Sequence, residues 1–364
     1  MSCFIKDYGL SGAGCAAIED SIMQKGEPVT AGSKILEGFV SPITATVVDK
    51  LLSGGFKIAG RTTMDEFGIP ALFDGNPDAV SGAVAAVADG KAEFALCNDL
   101  FGTYRRQAAE AGLCYIHPTY GTVSRFGLIP MASSMDQIGV VCRDMAKGFE
   151  LLSLIAGKDE GDGAMFPEKT YDYSGGRTDI TVGIPDFLRD NEAVRPLAGK
   201  FVSADIGLKY FDVCRQVMYI LACAEISNNI NRYDGIKFGF RAPGYKGVDD
   251  LYVKTRTEGF GPETKLAAIM GSMVLSQAQY EPYYEKAMKL RRLIRDSLKF
   301  DKYDVIALPC EISGDSYENL SLYALAALAG LPSISFEYEG RGIQLIAGAK
   351  NENLLKSAWE VCKA

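Results

Sequence analysis

One histidine, His117, and one tryptophan are all that this 364-residue chain holds of either type. A histidine-built zinc centre, or a triad with histidine as its base, needs imidazoles that the sequence does not supply. The nine cysteines (3, 15, 97, 114, 142, 214, 223, 310 and 362) contain no CxxC pair and no metal-ligand spacing. Scattered over a long chain in odd number, they point to reduced, mostly buried thiols and a cytoplasmic location. Cations are also short: 38 Lys and Arg stand against 46 Asp and Glu, a net charge of −8. A domain that grips nucleic acid by general electrostatics is usually basic, so direct nucleic-acid binding is not expected. No run reaches the roughly 18 apolar residues of a membrane span, and the start MSCFIKDYGL lacks the apolar segment of a secretory signal. No metal, cofactor or membrane contact is expected.

What is present is an ordinary soluble composition, 48% hydrophobic and 23% charged, enough for a large core. Residues 44–52 read as a helix ending at Gly54-Gly55, a good C-terminal stop. Residues 56–59, 94–97, 180–184, 303–308 and 334–338 read as short buried strands. Helical spacing marks 79–88, a small-residue segment without phosphate-loop spacing, and also 209–231, 263–298 and 353–362. The stretch 158–177, rich in Gly, Asp and Pro, reads as loop. Short apolar strands alternating with helices predict an α/β fold, a mixed central β-sheet covered by helices on both faces. No linker divides the chain, so residues 1–364 are expected to form a single domain.

The most informative run is Asn98-Asp99-Leu100-Phe101-Gly102-Thr103-Tyr104-Arg105. It resembles the nucleophile loop of the amidase signature family, which typically reads SDTGGSIR. Three further blocks carry the same resemblance. They are AGSKILEGFVSPITATVVDKLL with GRTTMDEFG (31–52, 60–68), HPTYGTVSRFGLIPMASSMDQIG (117–139), and the pair NRYDGIKFGF and RTEGFGPETK (231–240, 256–265). The last pair is similar specifically to the A subunits of aspartyl/glutamyl-tRNA amidotransferases. The resemblance spans nearly the whole chain, with the family's N-terminal helices and several internal segments shortened or absent.

That resemblance implies an amidase signature fold and a glutaminase site of nucleophilic serine, bridging serine and lysine. A neutral lysine takes the proton of a poorly nucleophilic serine through the bridging hydroxyl, and loop amides stabilise the oxyanion. Position by position, those roles are altered here. Glu19 stands at the lysine, Ala79 at the bridging serine and Thr103 at the nucleophile, while Ser81 falls two positions late. In the substrate-pocket equivalents, Leu100, Phe101 and Gly102 form the loop, with Phe101 replacing a glycine. Leu266 and Ala267 replace an arginine pair, and Leu320 replaces an acidic residue. A bidentate arginine cannot become leucine and still hold a carboxylate.

The expectation is therefore a catalytically degenerate amidase-signature protein acting by binding or scaffolding, with a transamidase-type partner subunit or another protein as its partner. The alternative is an active amide hydrolase rebuilt around Thr103. Among the neighbouring residues, Cys97 reads as a buried thiol and His117, where the family has lysine, as a structural hydrogen-bonding residue. Arg105 reads as half of a structural ion pair, and Glu19-Asp20 as a solvated or locally paired carboxylate couple. The YDGIKFG and RTEGFG blocks are open between a retained binding role and simple maintenance of local turns.

Overall fold

The computed structural model describes residues 2–70 and 80–364. Its elements, in chain order, are β1 (Phe4–Asp7), β2 (Cys15–Glu19), α1 (Thr46–Ser53), β3 (Lys57–Thr62), α2 (Gly82–Ala88), β4 (Phe94–Asn98), α3 (Thr103–Glu110), β5 (Cys114–His117), β6 (Ile138–Cys142) and α4 (Met145–Ile155). There follow β7 (Thr181–Pro185), β8 (Val202–Ile206), α5 (Cys214–Asn229), α6 (Val248–Gly259), α7 (Pro262–Val274), α8 (Lys286–Ser297), β9 (Val305–Pro309), α9 (Ser316–Ala329), β10 (Ser333–Tyr338), β11 (Arg341–Ala347) and α10 (Glu352–Lys363).

The strands make one eleven-stranded sheet in the order β1-β3-β2-β4-β6-β5-β10-β11-β9-β7-β8. It is mixed: β3-β2-β4 are parallel, β9-β7-β8 are parallel, and the strands between them pair antiparallel. Following those senses across the sheet, β7, β8 and β9 run opposite to β2, β3 and β4. The carboxyl ends of the two parallel groups therefore lie on opposite edges of the sheet.

Alternate residues of the central strands enter two separate cores, as the two-residue period of a strand requires. Ala16, Ile18, Leu96, Ile116 and Val140 pack with α1 and α4 on one face. Ala17, Ala95, Cys97, Tyr115 and Val141 pack with α2 and α3 on the other. A sheet covered on both faces reads as continuous apolar runs, which is why β4, β7, β9 and β10 are visible in the sequence. The stretch 263–298 is not one helix. It is α7 and α8, separated by a wide turn at Tyr280–Glu285 that contains Pro282, which has no amide proton to continue a helix. Residues 158–177 contain neither helix nor strand.

Candidate functional site

Parallel pairing of β2 with β4 matches Ala17 to Ala95 and Ile18 to Leu96, so Glu19 arrives beside the start of the 98–103 loop. Its carboxyl is buried, with Ser21 Oγ donating to Oε1 and the Asn98 amide donating to Oε2 at 3.1 Å. The Tyr104 phenol hydrogen-bonds to it as well. Burial pushes Glu19 up to about 7, against the pull of those three donors, and the nearby Asp99 adds to the rise. Burial and the Glu19 carboxyl in turn push the Tyr104 phenol well above its usual value. Glu19 is thus neither solvated nor paired with its neighbour. Asp20 is the paired member, meeting the buried Arg61 Nε at 3.0 Å and the Thr30 amide at 2.9 Å.

The loop itself is held from within. Asp99 Oδ1 accepts from the Gly102 amide at 2.8 Å, and Oδ2 accepts from the Arg105 amide at 2.9 Å and Arg105 Nε at 3.1 Å. Arg105 Nη2 returns to the Asp99 and Leu100 carbonyls, Nη1 reaches Gln344 Oε1 at 3.2 Å, and the guanidinium lies over the Tyr323 ring. Arg105 is accordingly a structural ion-pair residue with its donors committed. Gly102 has φ +88°, and a Cβ there would fall 2.0 Å from the Tyr323 ring, so glycine is required on both counts. Thr103 then opens α3.

Thr103 lines a cavity of about 470 Å³ with Ser2, Cys3, Thr63, Met64, Ser81 and Asn98 among its walls. No hydrogen bond joins its hydroxyl to a described residue. Ser81 Oγ is buried without a partner among the described residues, while its amide donates to Gln107 Oε1. Ala79 lies outside the described residues. Glu19 does not line this cavity, and neither do Leu100, Phe101, Gly102, Leu266, Ala267 or Leu320. Phe101 turns into the core against Tyr219 of α5, 5.8 Å between ring centres. Ala267 is buried on the α5 side of α7, Leu266 is exposed on its outer side, and Leu320 is buried in α9. The structure therefore gathers Glu19 and Thr103 around Tyr104 and Asn98 and leaves Leu100, Phe101, Gly102, Leu266, Ala267 and Leu320 outside the Thr103 cavity.

His117 sits beside the Gln137 side chain, whose amide nitrogen turns to the Pro118 carbonyl, so among the described residues the pair lies close without a well-formed hydrogen bond. Burial, with Arg105 nearby, holds the imidazole well below its usual value and therefore neutral. The retained motifs form one clamp that sequence spacing did not disclose. Glu66 accepts from Ser33 Oγ, from the Gly261 amide at 2.8 Å and from Thr264 Oγ1, joining blocks almost two hundred residues apart. Phe67 stacks on Tyr233 at 5.5 Å, and Arg256 donates to the Ile230 and Tyr233 carbonyls. Cys97 is fully buried and its thiol is pushed far up by desolvation, as a structural cysteine should be. The cavity also meets, at Thr63 to Asp65, shallower clefts that run past Lys34 to the 258–263 segment.

Comparison with known proteins agrees with this geometry. The Amidase family model matches residues 14–71 and 80–355. The chain is 37% identical to a glutamyl-tRNA(Gln) amidotransferase A subunit from Lachnoclostridium phytofermentans, across 88% of this chain and 74% of that one. It is 35% identical to the corresponding A subunit from Sulfurimonas denitrificans, across 98% and 90%. The crystal structure of the Thermotoga maritima A subunit superposes with a TM-score of 0.72 at 28% identity, covering 94% of this chain and 80% of that one. A peptide amidase from Stenotrophomonas maltophilia shares the fold, with a TM-score of 0.74 at 22% identity over 96% and 82%. Sheet order, loop and relatives together show that this chain belongs to the amidase family.

Proposed function

We propose that the chain is a non-catalytic amidase-family protein, similar to amidotransferase A subunits, that acts by binding as one component of an assembly. The carrying observation is Glu19. Where the resemblance places a lysine that accepts the nucleophile's proton, this chain has a buried carboxyl whose oxygens are occupied by Ser21, Tyr104 and the Asn98 amide. Thr103 is left facing its cavity without a hydrogen-bonded base among the described residues, and an unactivated hydroxyl is a poor nucleophile. With the positions of the arginine pair held by Leu266 and Ala267, a substrate carboxylate would find no guanidinium there.

The assembly half of the reading rests on α7. Its inner face, Thr264, Ala267, Gly271 and Val274, packs inward, yet its outer face also carries Leu266, Ile269, Met270 and Met273. A helix that is apolar all round is normally covered on both sides. A partner chain, of the kind implied by relatives that are themselves named as subunits, is the occupant proposed for that face.

One observation favours a second reading, an amide hydrolase rebuilt around Thr103. A carboxyl raised to about 7 lies in the range that general bases use. The deciding experiment is hydrolysis of glutamine, asparagine and simple amides by the purified protein and by Thr103→Ala. Background rates for both support the binding reading; turnover that Thr103→Ala abolishes overturns it.

A further inference from the structure

Outside the Thr103 region, two thiols stand face to face across the sheet. Cys114 opens β5 and Cys142 closes β6, and they are directly opposed partners in the antiparallel ladder. Opposed residues in such a ladder have Cα atoms about 4.5–5.5 Å apart with side chains on one face, inside the range a disulfide spans. Both thiols are free and buried, and the Cys114 thiol points to the Arg143 carbonyl at 4.0 Å. Among the described residues no other two cysteines hold opposed positions in the sheet.

The space around the pair is kept open. Gly148 of α4 faces it, and a Cβ at that position would fall 2.5 Å from Cys142 Sγ. Cys114 follows the exposed turn at Ala111 and Gly112 and is itself buried at 6% exposure; the neighbouring Cys142 and then Lys363 of α10 pull its thiol down, against burial and Asp144. Cys142 is sealed beneath it. A thiol with some thiolate character beside a buried resolving thiol is the arrangement that two-electron oxidants address.

We propose that Cys114 and Cys142 form a redox-modification site, a cross-strand dithiol that peroxides convert to a disulfide. The Cys114 thiolate attacks a peroxide oxygen; the O–O bond breaks, leaving a sulfenic acid, and the departing hydroxide is protonated to water. Cys142 sulfur, losing its proton, then attacks the Cys114 sulfur; the S–O bond breaks and a second water leaves. Two thiols and one hydrogen peroxide give one disulfide and two waters, with two electrons passing from the pair to the peroxide. The bridge would tie β5 covalently to β6 beneath α4.

The test uses the folded full-length protein and hydrogen peroxide, followed by alkylation and non-reducing tryptic digestion. Residues 107–125 and 126–143 are adjacent tryptic peptides, each with one of the two cysteines. The expected product is these two peptides joined, two hydrogens lighter than their sum and separated again by dithiothreitol. Cys114→Ser removes the product, whereas Cys142→Ser leaves Cys114 as an oxyacid or a mixed disulfide. Cys97→Ser, altering a buried thiol outside the pair, preserves the link and shows that losing a buried thiol does not by itself remove it. Before oxidation, iodoacetamide should label Cys114 about tenfold faster than Cys97 or Cys310. Equal labelling rates, or peroxide products with no 107–125 to 126–143 link, overturn the proposal.

Discussion

Glu19 places an ionisable group where water cannot follow, and the consequence is measurable without any ligand. Its carboxyl titrates near 7 when folded and near 4.5 when free. Below 4.5 both states carry the proton and Glu19 contributes no difference. As pH rises from 4.5 to 7 the unfolded chain ionises while the folded one holds its proton, so stability falls across that window and levels above it. A shift of that size corresponds to about 3 kcal/mol. Glu19→Gln keeps the shape and the acceptor for the Asn98 amide, and it cannot ionise. Urea unfolding between pH 5 and 8 should show the wild-type midpoint falling by an amount consistent with that figure and the variant losing most of the slope. A variant with the wild-type slope would remove Glu19 as its cause. The substitution itself is legible from the motif at 17–22, but its neighbours are not. Tyr104 and Asn98 lie about 80 residues away in sequence, and only the parallel β2–β4 register brings them to Glu19.

At the scale of elements, the start of α3 depends on one side chain. Asp99 takes two backbone amides and the Arg105 guanidinium, with both charges almost wholly removed from solvent. Such a pair adds little over an apolar substitute, but removing one partner strands a buried charge, at about 3–5 kcal/mol. Asp99→Ala should therefore cost several kcal/mol in denaturant unfolding, far more than Arg106→Ala on the same helix, whose Glu110 partner is exposed. A comparable loss at both positions would deny the staple its role. The same region shows where sequence reading ends. Gly102 and its neighbours read as a loop, so nothing announces α3, although it begins at the very residue that stands at the nucleophile position. β2 and β5 are hidden because small residues and cysteines replace the β-branched runs that announce a strand, and β6 is hidden because Gly139 and Cys142 cut its Ile and Val residues into short pieces. β8 is hidden because it is an edge strand with mostly exposed residues. The Gly-Asp-Pro segment at 158–177 and the buried strands β4, β7, β9 and β10 are legible because their composition alone decides them.

The whole molecule has a sheet whose two parallel groups point to opposite edges, with the Thr103 cavity at the carboxyl ends of β3 and β4. The retained YDGIKFG and RTEGFG blocks are explained within that frame by the Glu66 clamp, which leaves less need for a separate binding role there. The outer face of α7 has no such internal explanation. Ile269 is 67% exposed, and Leu266, Met270 and Met273 lie alongside it, on a helix whose opposite face is already packed against α5. Exposed residues on one helix face can be replaced at little cost, typically within about 0.5 kcal/mol each, so function and stability separate cleanly here. The variant Ile269→Glu/Met273→Glu should unfold within about 1 kcal/mol of wild type. In extracts of the source cells, wild type should elute on size exclusion in a complex with a second, different chain, and the double variant should elute alone. Elution of wild type as a free monomer, or a complex that the double variant retains, would separate α7 from any partner and leave its apolar face without the proposed occupant.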